Sequence, residues 1–388
     1  MLSLDKVFNA QMVLKNIIRE TNVVRAYGIA PECELYLKPE NLQITGSFKV
    51  RGSAYKIAML SEEEKERGVI ACSAGNHAQG VALAATKNGI KSLICLPDTA
   101  PISKVEATKG FGADVCLVEG CYDDAYQRAI ELRDSEGYTF VHPFDDENVI
   151  AGQGTIALEI LSDLDNIDAI VVPIGGGGLI SGIAYTAKQI RPSIKIYGVQ
   201  AAGAPSMYNS IKDGEIECLP SVSTIADGIA VKQPGDNTFA LVRDYVDEIA
   251  LVTDDEISSA ILALIEKQKM IAEGAGATAV AAVMAGKFDL RGKRVVAVVS
   301  GGNIDVTSLS RVIDRGLRNS GRSSSMLIEL LDKPGQLKEI SSIIADCGAN
   351  VTGVHYEKGN TESVNGWRRE ISIICTLLQS VCATKALR

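Results

Sequence analysis

The chain is poor in aromatic residues, with one tryptophan and 5% aromatics overall, and has only three histidines, His77, His142 and His355, among 388 residues. So few imidazoles, beside nine cysteines and no Cys-X-X-Cys pair, make a Cys/His zinc site improbable. The odd cysteine count also speaks against a disulfide framework. Cys72 and Cys95 lie inside apolar runs, as buried free thiols do. Basic charge is not in excess either: 39 Lys and Arg face 48 Asp and Glu, a net charge of −9. Such a chain repels phosphate backbones, and no basic cluster offsets this, so nucleic acid is not an expected partner. No apolar run approaches the ~20 residues of a membrane span. The opening MLSLDKVFNAQ lacks the apolar core of a signal peptide. The expectation is a cytoplasmic protein without a membrane partner.

What the chain does have is glycine, 36 residues, within an ordinary globular composition of 46% hydrophobic residues. Its length exceeds a single domain of ~100–200 residues. From Gly68 onward, short β-branched runs alternate with helical blocks. Residues 69–72, 92–96, 113–118, 138–141, 169–172, 194–199 and 294–300 read as strands. Between them 76–88, 102–110, 123–135, 154–164 and 179–190 read as helices. Continuous apolar strands joined by helices predict an α/β fold with mainly parallel sheets. Residues 255–286 read as a long alanine-rich helical stretch interrupted at Glu273-Gly-Ala-Gly. The polar segment 319–325 predicts a linker. Beyond it, strand 326–331, helix 336–347 and strand 350–355 predict the first half of a small α+β module, with 371–378 as a further strand.

Three glycine-bearing segments follow strands. In Pro173-Ile-Gly175-Gly176-Gly177-Gly178-Leu179, four glycines between strand and helix expose successive N–H groups that suit a phosphate. The spacing is neither a dinucleotide fingerprint nor a Walker A loop, because the third glycine and the Lys-Ser/Thr pair are absent. A single phosphate without a nucleotide is the better reading. Ser73-Ala74-Gly75-Asn76-His77 offers N–H groups and a hydroxyl to a carboxylate, beside the bland alternative of a helix cap. Ser300-Gly-Gly-Asn303 alone is weak. Upstream, Thr45-Gly-Ser-Phe48-Lys49-Val-Arg51-Gly places a lysine between apolar neighbours, where partial desolvation would lower its pKa toward nucleophilic use.

Together and in this order, these four segments resemble the pyridoxal-phosphate enzymes of the tryptophan synthase β fold (fold type II), and within them the threonine/serine dehydratases, most closely the short threonine ammonia-lyases. The resemblance implies two open twisted parallel-sheet domains plus a small C-terminal ACT-like module. It implies a catalytic body at 1–318, divided into a smaller α/β subdomain at roughly 50–142 and a larger one from 1–49 and 143–318. The linker would be 319–325 and the ACT-like regulatory module 326–388, where the pattern degrades after 366. The implied reaction is β-elimination from L-threonine to 2-oxobutyrate and ammonia, and from L-serine to pyruvate.

The resemblance further implies that Lys49 holds pyridoxal 5'-phosphate as a Schiff base and acts as the catalytic residue. Phe48 would lie beside the ring, Asn76 would bond its 3'-oxygen, Gly175, Gly176, Gly177 and Gly178 would bind the phosphate, and Ser300 would face the ring nitrogen. Ser73, Ala74, Gly75, Asn76 and His77 would bind the substrate carboxylate. A neutral hydroxyl at the ring nitrogen makes the cofactor a weaker electron sink, which favours prompt loss of a β-leaving group over transamination. Relatives serve isoleucine biosynthesis or threonine catabolism, are dimers or tetramers, and answer to amino-acid or nucleotide effectors. Serine racemase is the nearest alternative. Ala74 cannot supply the second-face proton a racemase needs, and Gln200 and Ser206 stand where its cation ligands would be. The non-enzyme alternative is an amino-acid sensor with an inactive cofactor-binding body.

Overall fold

The structure is a computed structural model that describes residues 2–331, 333–357, 362–363 and 366–377. Two compact units divide it, Met1–Leu309 and Ser310–Arg388. In chain order, the strands of the first unit are β1 (Val24–Arg25), β2 (Glu34–Pro39), β3 (Val69–Cys72), β4 (Ser92–Pro97), β5 (Asp114–Val118), β6 (Thr139–Phe140), β7 (Ala169–Pro173), β8 (Lys195–Ala201), β9 (Glu248–Val252) and β10 (Arg294–Val299).

They form two sheets. The smaller has order β5-β4-β3-β6 and the larger β1-β2-β10-β7-β8-β9. All pairings are parallel except β1 with β2. The fold class is therefore the expected α/β one. Its strands are apolar without alternation because helices cover both faces; every residue of β3 and β7 is buried. In the smaller sheet the register aligns Cys72 with Cys95 and Cys95 with Cys116. Cys33, Cys72, Cys95, Cys116, Cys121, Cys218 and Cys347 are free thiols.

Several elements escaped the sequence pattern: helix Leu4–Leu14, β1, β2, helix Lys49–Ala58 and β9. β2 runs Glu-Leu-Tyr-Leu-Lys-Pro, and its Lys38 and Pro39 look unsuited to a buried strand. Lys38 is fully buried there because Glu159 neutralises it, Nζ to Oε2 2.5 Å. The helix expected at 154–164 is longer, Glu147–Asp163, capped by Asp146, whose carboxylate accepts from the N–H groups of Asn148 and Val149. The long helical stretch at 255–286 is broken. Helix Asp254–Ala263 passes through a π turn to Lys269 at φ +59°, and a new helix, Gly274–Met284, starts after Glu273. Among the described residues no helix is long and apolar enough to cross a membrane.

In the second unit, β11 (Ser323–Leu331), β12 (Ala349–Glu357), β13 (Glu362–Ser363) and β14 (Gly366–Leu377) form an antiparallel sheet of order β11-β14-β12, with β13 paired to β14. Helix Gln336–Asp346 contributes Ile344 to a small core with Leu330 and Ile373. The segment read as a linker is shorter than expected. Helix Val306–Asn319 includes its first residue and β11 starts at Ser323, since the three serines extend the strand's backbone ladder. The rest of the expected ACT-like module, at 378–388, lies outside the described residues.

Candidate active site

The carboxyl ends of the parallel strands of both sheets open on a cavity of about 820 Å³. Ligands of open α/β sheets bind in such crevices. Loops after β3 (73–75), β6 (142–145), β7 (174–177) and β10 (from Ser300) line it. All the residues picked from sequence are brought together there: Phe48, Lys49, Ser73, Ala74, Gly75, Asn76, His77, Gly175, Gly176, Gly177, Gly178 and Ser300.

Lys49 is the first residue of helix Lys49–Ala58. The turn before it is stitched to β10, with the Phe48 N–H donating to the Ser300 carbonyl at 3.1 Å and an isolated bridge joining Ser47 to Gly301. Lys49 Nζ donates to the Pro143 carbonyl at 2.9 Å and lies 5.4 Å from the Phe48 ring centroid. Burial pushes its pKa down to about 8, against the opposing pull of Glu273. A lysine poised this way has a substantial neutral fraction near physiological pH and can act as nucleophile or base.

The tetrad turns from β7 into helix Gly178–Ile190, with Gly177 as its cap at φ +101°. A Cβ on Gly177 would come 2.7 Å from Thr238 Cβ, and one on Gly176 would strike the Phe144 ring at 2.5 Å. The turn is thus held from outside: Thr238 Oγ1 donates to the Gly176 carbonyl at 2.6 Å. The Phe144 loop is itself fixed by His142, whose Nδ1 accepts from the N–H groups of Phe144 and Asp145. N–H groups at the first turn of a helix have no internal acceptor, so a cradle of this form suits an anion.

Ser73 Oγ accepts from the Gly75 N–H at 3.1 Å, closing the loop ahead of helix Asn76–Lys87. His77 is 3% exposed and neutral. Its Nε2 donates to the Val141 carbonyl at 2.8 Å, its Nδ1 faces Ser53 Oγ at 3.4 Å, and burial with the nearby Lys49 charge pushes its pKa down to about 3. Its ring therefore fastens the helix start to the smaller sheet. Ser300 is buried, with Oγ 3.4 Å from the Ala275 carbonyl.

Sequence reasoning missed Glu273, Asn303, Thr238 and the loop at 142–145. Glu273 is 6% exposed, caps helix Gly274–Met284 and lines the cavity. Burial pushes its pKa up to about 7, and Asp227 adds to the rise. Asn76, Lys104 and Lys49 pull the other way. The break of an alanine-rich helical run at an acidic residue was the available signal. Gln200 and Ser206 are tied to backbone, Gln200 Oε1 accepting from the Tyr208 N–H and Ser206 Oγ donating to the Val231 carbonyl, both at 2.8 Å.

Residues 14–301 match the family described as pyridoxal-phosphate dependent enzyme. An L-threonine ammonia-lyase of Thermotoga maritima is 49% identical over 371 residues, spanning 95% of this chain and 92% of that protein. Among solved structures, the processed form of threonine deaminase isoform 2 from Solanum lycopersicum superposes with a TM-score of 0.77 at 38% identity, over 81% of this chain and 94% of that one. Maize serine racemase gives 0.77 at 35% identity, over 82% and 99%.

Proposed function

The chain belongs to the pyridoxal-phosphate-dependent enzymes, and from that premise we propose that it is an L-threonine ammonia-lyase whose catalytic residue is Lys49. It converts L-threonine to 2-oxobutyrate and ammonia, and L-serine to pyruvate. The observation that carries this reading is the convergence of Lys49, the 73–77 loop, the glycine tetrad and Ser300 on one cavity. The residues fit the cofactor. The tetrad is a cradle that side chains would fill, and Lys49 makes no ion pair within 4 Å among the described residues.

Lys49 would carry the cofactor, and the amides from Gly175 to Gly178 would take its phosphate. The bound cofactor supplies an electron sink that acidifies the substrate's Cα–H. Phe48 packs beside the lysine; the Asn76 amide would bond the cofactor's ring oxygen and the Ser300 hydroxyl would face its nitrogen. The Ser73–His77 turn, Ala74 and Gly75 included, receives the substrate carboxylate on N–H groups and the Ser73 hydroxyl. Lys49, with its lowered pKa, takes the Cα proton as a general base. Ala74 has no proton to offer the opposite face, which separates this site from a racemase.

The body would span 1–318 with subdomains at 50–142 and at 1–49 with 143–318, followed by an ACT-like module at 326–388 that binds an amino-acid or nucleotide effector. The β11-β14-β12 sheet with one helix supports that module. Free thiols support a reducing, cytoplasmic setting. Assembly as a dimer or tetramer belongs to the same reading. The test is absorbance of the purified protein with added pyridoxal 5'-phosphate, followed by L-threonine. A cofactor band that changes with threonine while 2-oxobutyrate accumulates is the expected result. A band without ketoacid would favour the sensor, and no band would end the reading.

A further inference from the structure

Asn303 closes a segment, Ser300-Gly-Gly-Asn303, to which the reaction above assigns only its serine. Its side chain lies in a chain of hydrogen bonds with a definite polarity. Nδ2 of Asn303 donates to the Thr45 carbonyl at 2.7 Å and to Asn76 Oδ1 at 2.7 Å. A backbone carbonyl can only accept, so the Asn303 amide cannot be reversed. Asn76 must then turn its oxygen toward Asn303 and its NH2 toward the cavity. There one N–H donates to Glu273 Oε1 at 2.7 Å. The other N–H stays free for an acceptor in the cavity.

Asn76 stands at the end of the smaller sheet's loop, whereas Thr45, Glu273 and Asn303 surround it from segments joined to the larger sheet. Glu273 is held by its own N–H on the Gly301 carbonyl at 3.1 Å, beside Asn303. A reversed Asn76 would set its oxygen against the Glu273 carboxylate and its NH2 against that of Asn303, losing two buried hydrogen bonds at once.

We propose that Asn303 and Glu273 are positioning residues that lock the amide of Asn76 with its NH2 facing the cavity, so that Asn76 presents a donor, never an acceptor, to the cofactor's ring oxygen. The inference rests on the cofactor reading above and adds to it a direction of hydrogen bonding set by two residues that meet at Asn76.

The test is titration of cofactor-free protein with pyridoxal 5'-phosphate, read by absorbance, alongside thermal unfolding of the same cofactor-free samples. N303D replaces the donor by an acceptor at nearly constant shape. It is expected to lower the unfolding temperature and weaken cofactor binding by about tenfold or more. Adding E273Q to N303D relieves the conflict at Asn76, with the new amide donating to a reversed Asn76, while the Thr45 carbonyl still faces an acceptor. The double variant is expected to recover part of the lost thermal stability and none of the cofactor affinity. Recovery of both together, or N303D binding within about twofold of wild type, overturns the proposal. If N303D does not fold, E273Q, which keeps an acceptor, should bind the cofactor nearly as wild type, whereas E273L should bind about tenfold more weakly. Equal binding by both overturns it too. Wild-type protein that binds no cofactor defeats instead the function proposed above.

Discussion

Two groups of buried charges lie about one helix, and they are managed in opposite ways. Behind helix Lys49–Ala58, Arg51 forks onto Glu40 with two contacts of 2.8 Å, reaches Glu159 at 2.5 Å, and shares Glu159 with Lys38. Two cations meet two anions. Burial penalises these charges, yet Arg51 is held further on the charged side by Glu40 and Glu159, and the Glu159 pKa is lowered because Arg51 and Lys38 outweigh its burial. At the front of the same helix, the half-buried Lys49 and the buried Glu273 make no mutual ion pair, and desolvation brings them to about 8 and about 7. The difference teaches that burial alone does not set protonation. Matched partners make a buried charge permanent, and missing partners make it available for chemistry.

Removing one charge from each group should separate the two roles most sharply. K49A should reduce 2-oxobutyrate formation by about 10³-fold or more, while unfolding of the cofactor-free protein at pH 7 shows no loss of stability. R51M should do the reverse to the scaffold. With Glu40 and Glu159 left facing Lys38 alone, denaturant unfolding should report a loss of about 3–5 kcal/mol. An R51M protein as stable as wild type would mean that the rear cluster is not a unit.

pH sharpens the contrast next. Because the Glu273 pKa is raised from 4.5 to about 7, the native state keeps a proton that the unfolded chain has released, so its contribution to stability is lost as pH rises through that interval. Lys49, lowered from 10.5 to about 8, adds stability as pH rises from about 8 to 10.5. Together they place the weakest point of the cofactor-free cavity between pH 7 and 8. Glu159 runs the other way, its contribution being lost as pH falls below the ordinary carboxylate range. Denaturation from pH 5 to 7 should show wild type losing up to about 3 kcal/mol relative to E273Q, and parallel curves would contradict the assignment.

The smallest effect belongs to charges that are neither buried nor poised. Lys232 and Asp123 pair at 3.1 Å across the cavity mouth with 45% and 67% of their side chains exposed. Unfolding of K232A should differ from wild type by less than about 1 kcal/mol.

The cavity charges also show what a sequence conceals. The four glycine-bearing segments were readable because their chemistry is contiguous: four amides in a row, or a hydroxyl beside a helix start. Glu273 and Asn303 act only by meeting Asn76, 197 and 227 positions away, and no local pattern announces such a meeting. β2 was hidden for a related reason, since Lys38 reads as a surface residue until Glu159, 121 positions on, neutralises it. Strands β3 and β4 were legible because burial on both faces leaves an unbroken apolar run. The interruption at Glu273-Gly-Ala-Gly was legible, but its earlier start, at a π turn and at Lys269 in the left-handed region, is not foretold by alanine-rich composition.

The stitching of Phe48 to Ser300 and of Ser47 to Gly301 has a mechanical meaning. It welds the lysine's turn to the strand end that bears Ser300, on the sheet that also carries the tetrad. Apart from Asn76, the proposed cofactor seat is thereby an anvil of one piece, while the grip on the substrate's carboxylate is a jaw mounted on the other sheet. Asn76 is the hinge pin between them, so flexing between the two sheets would be felt first where it meets Glu273 and Asn303.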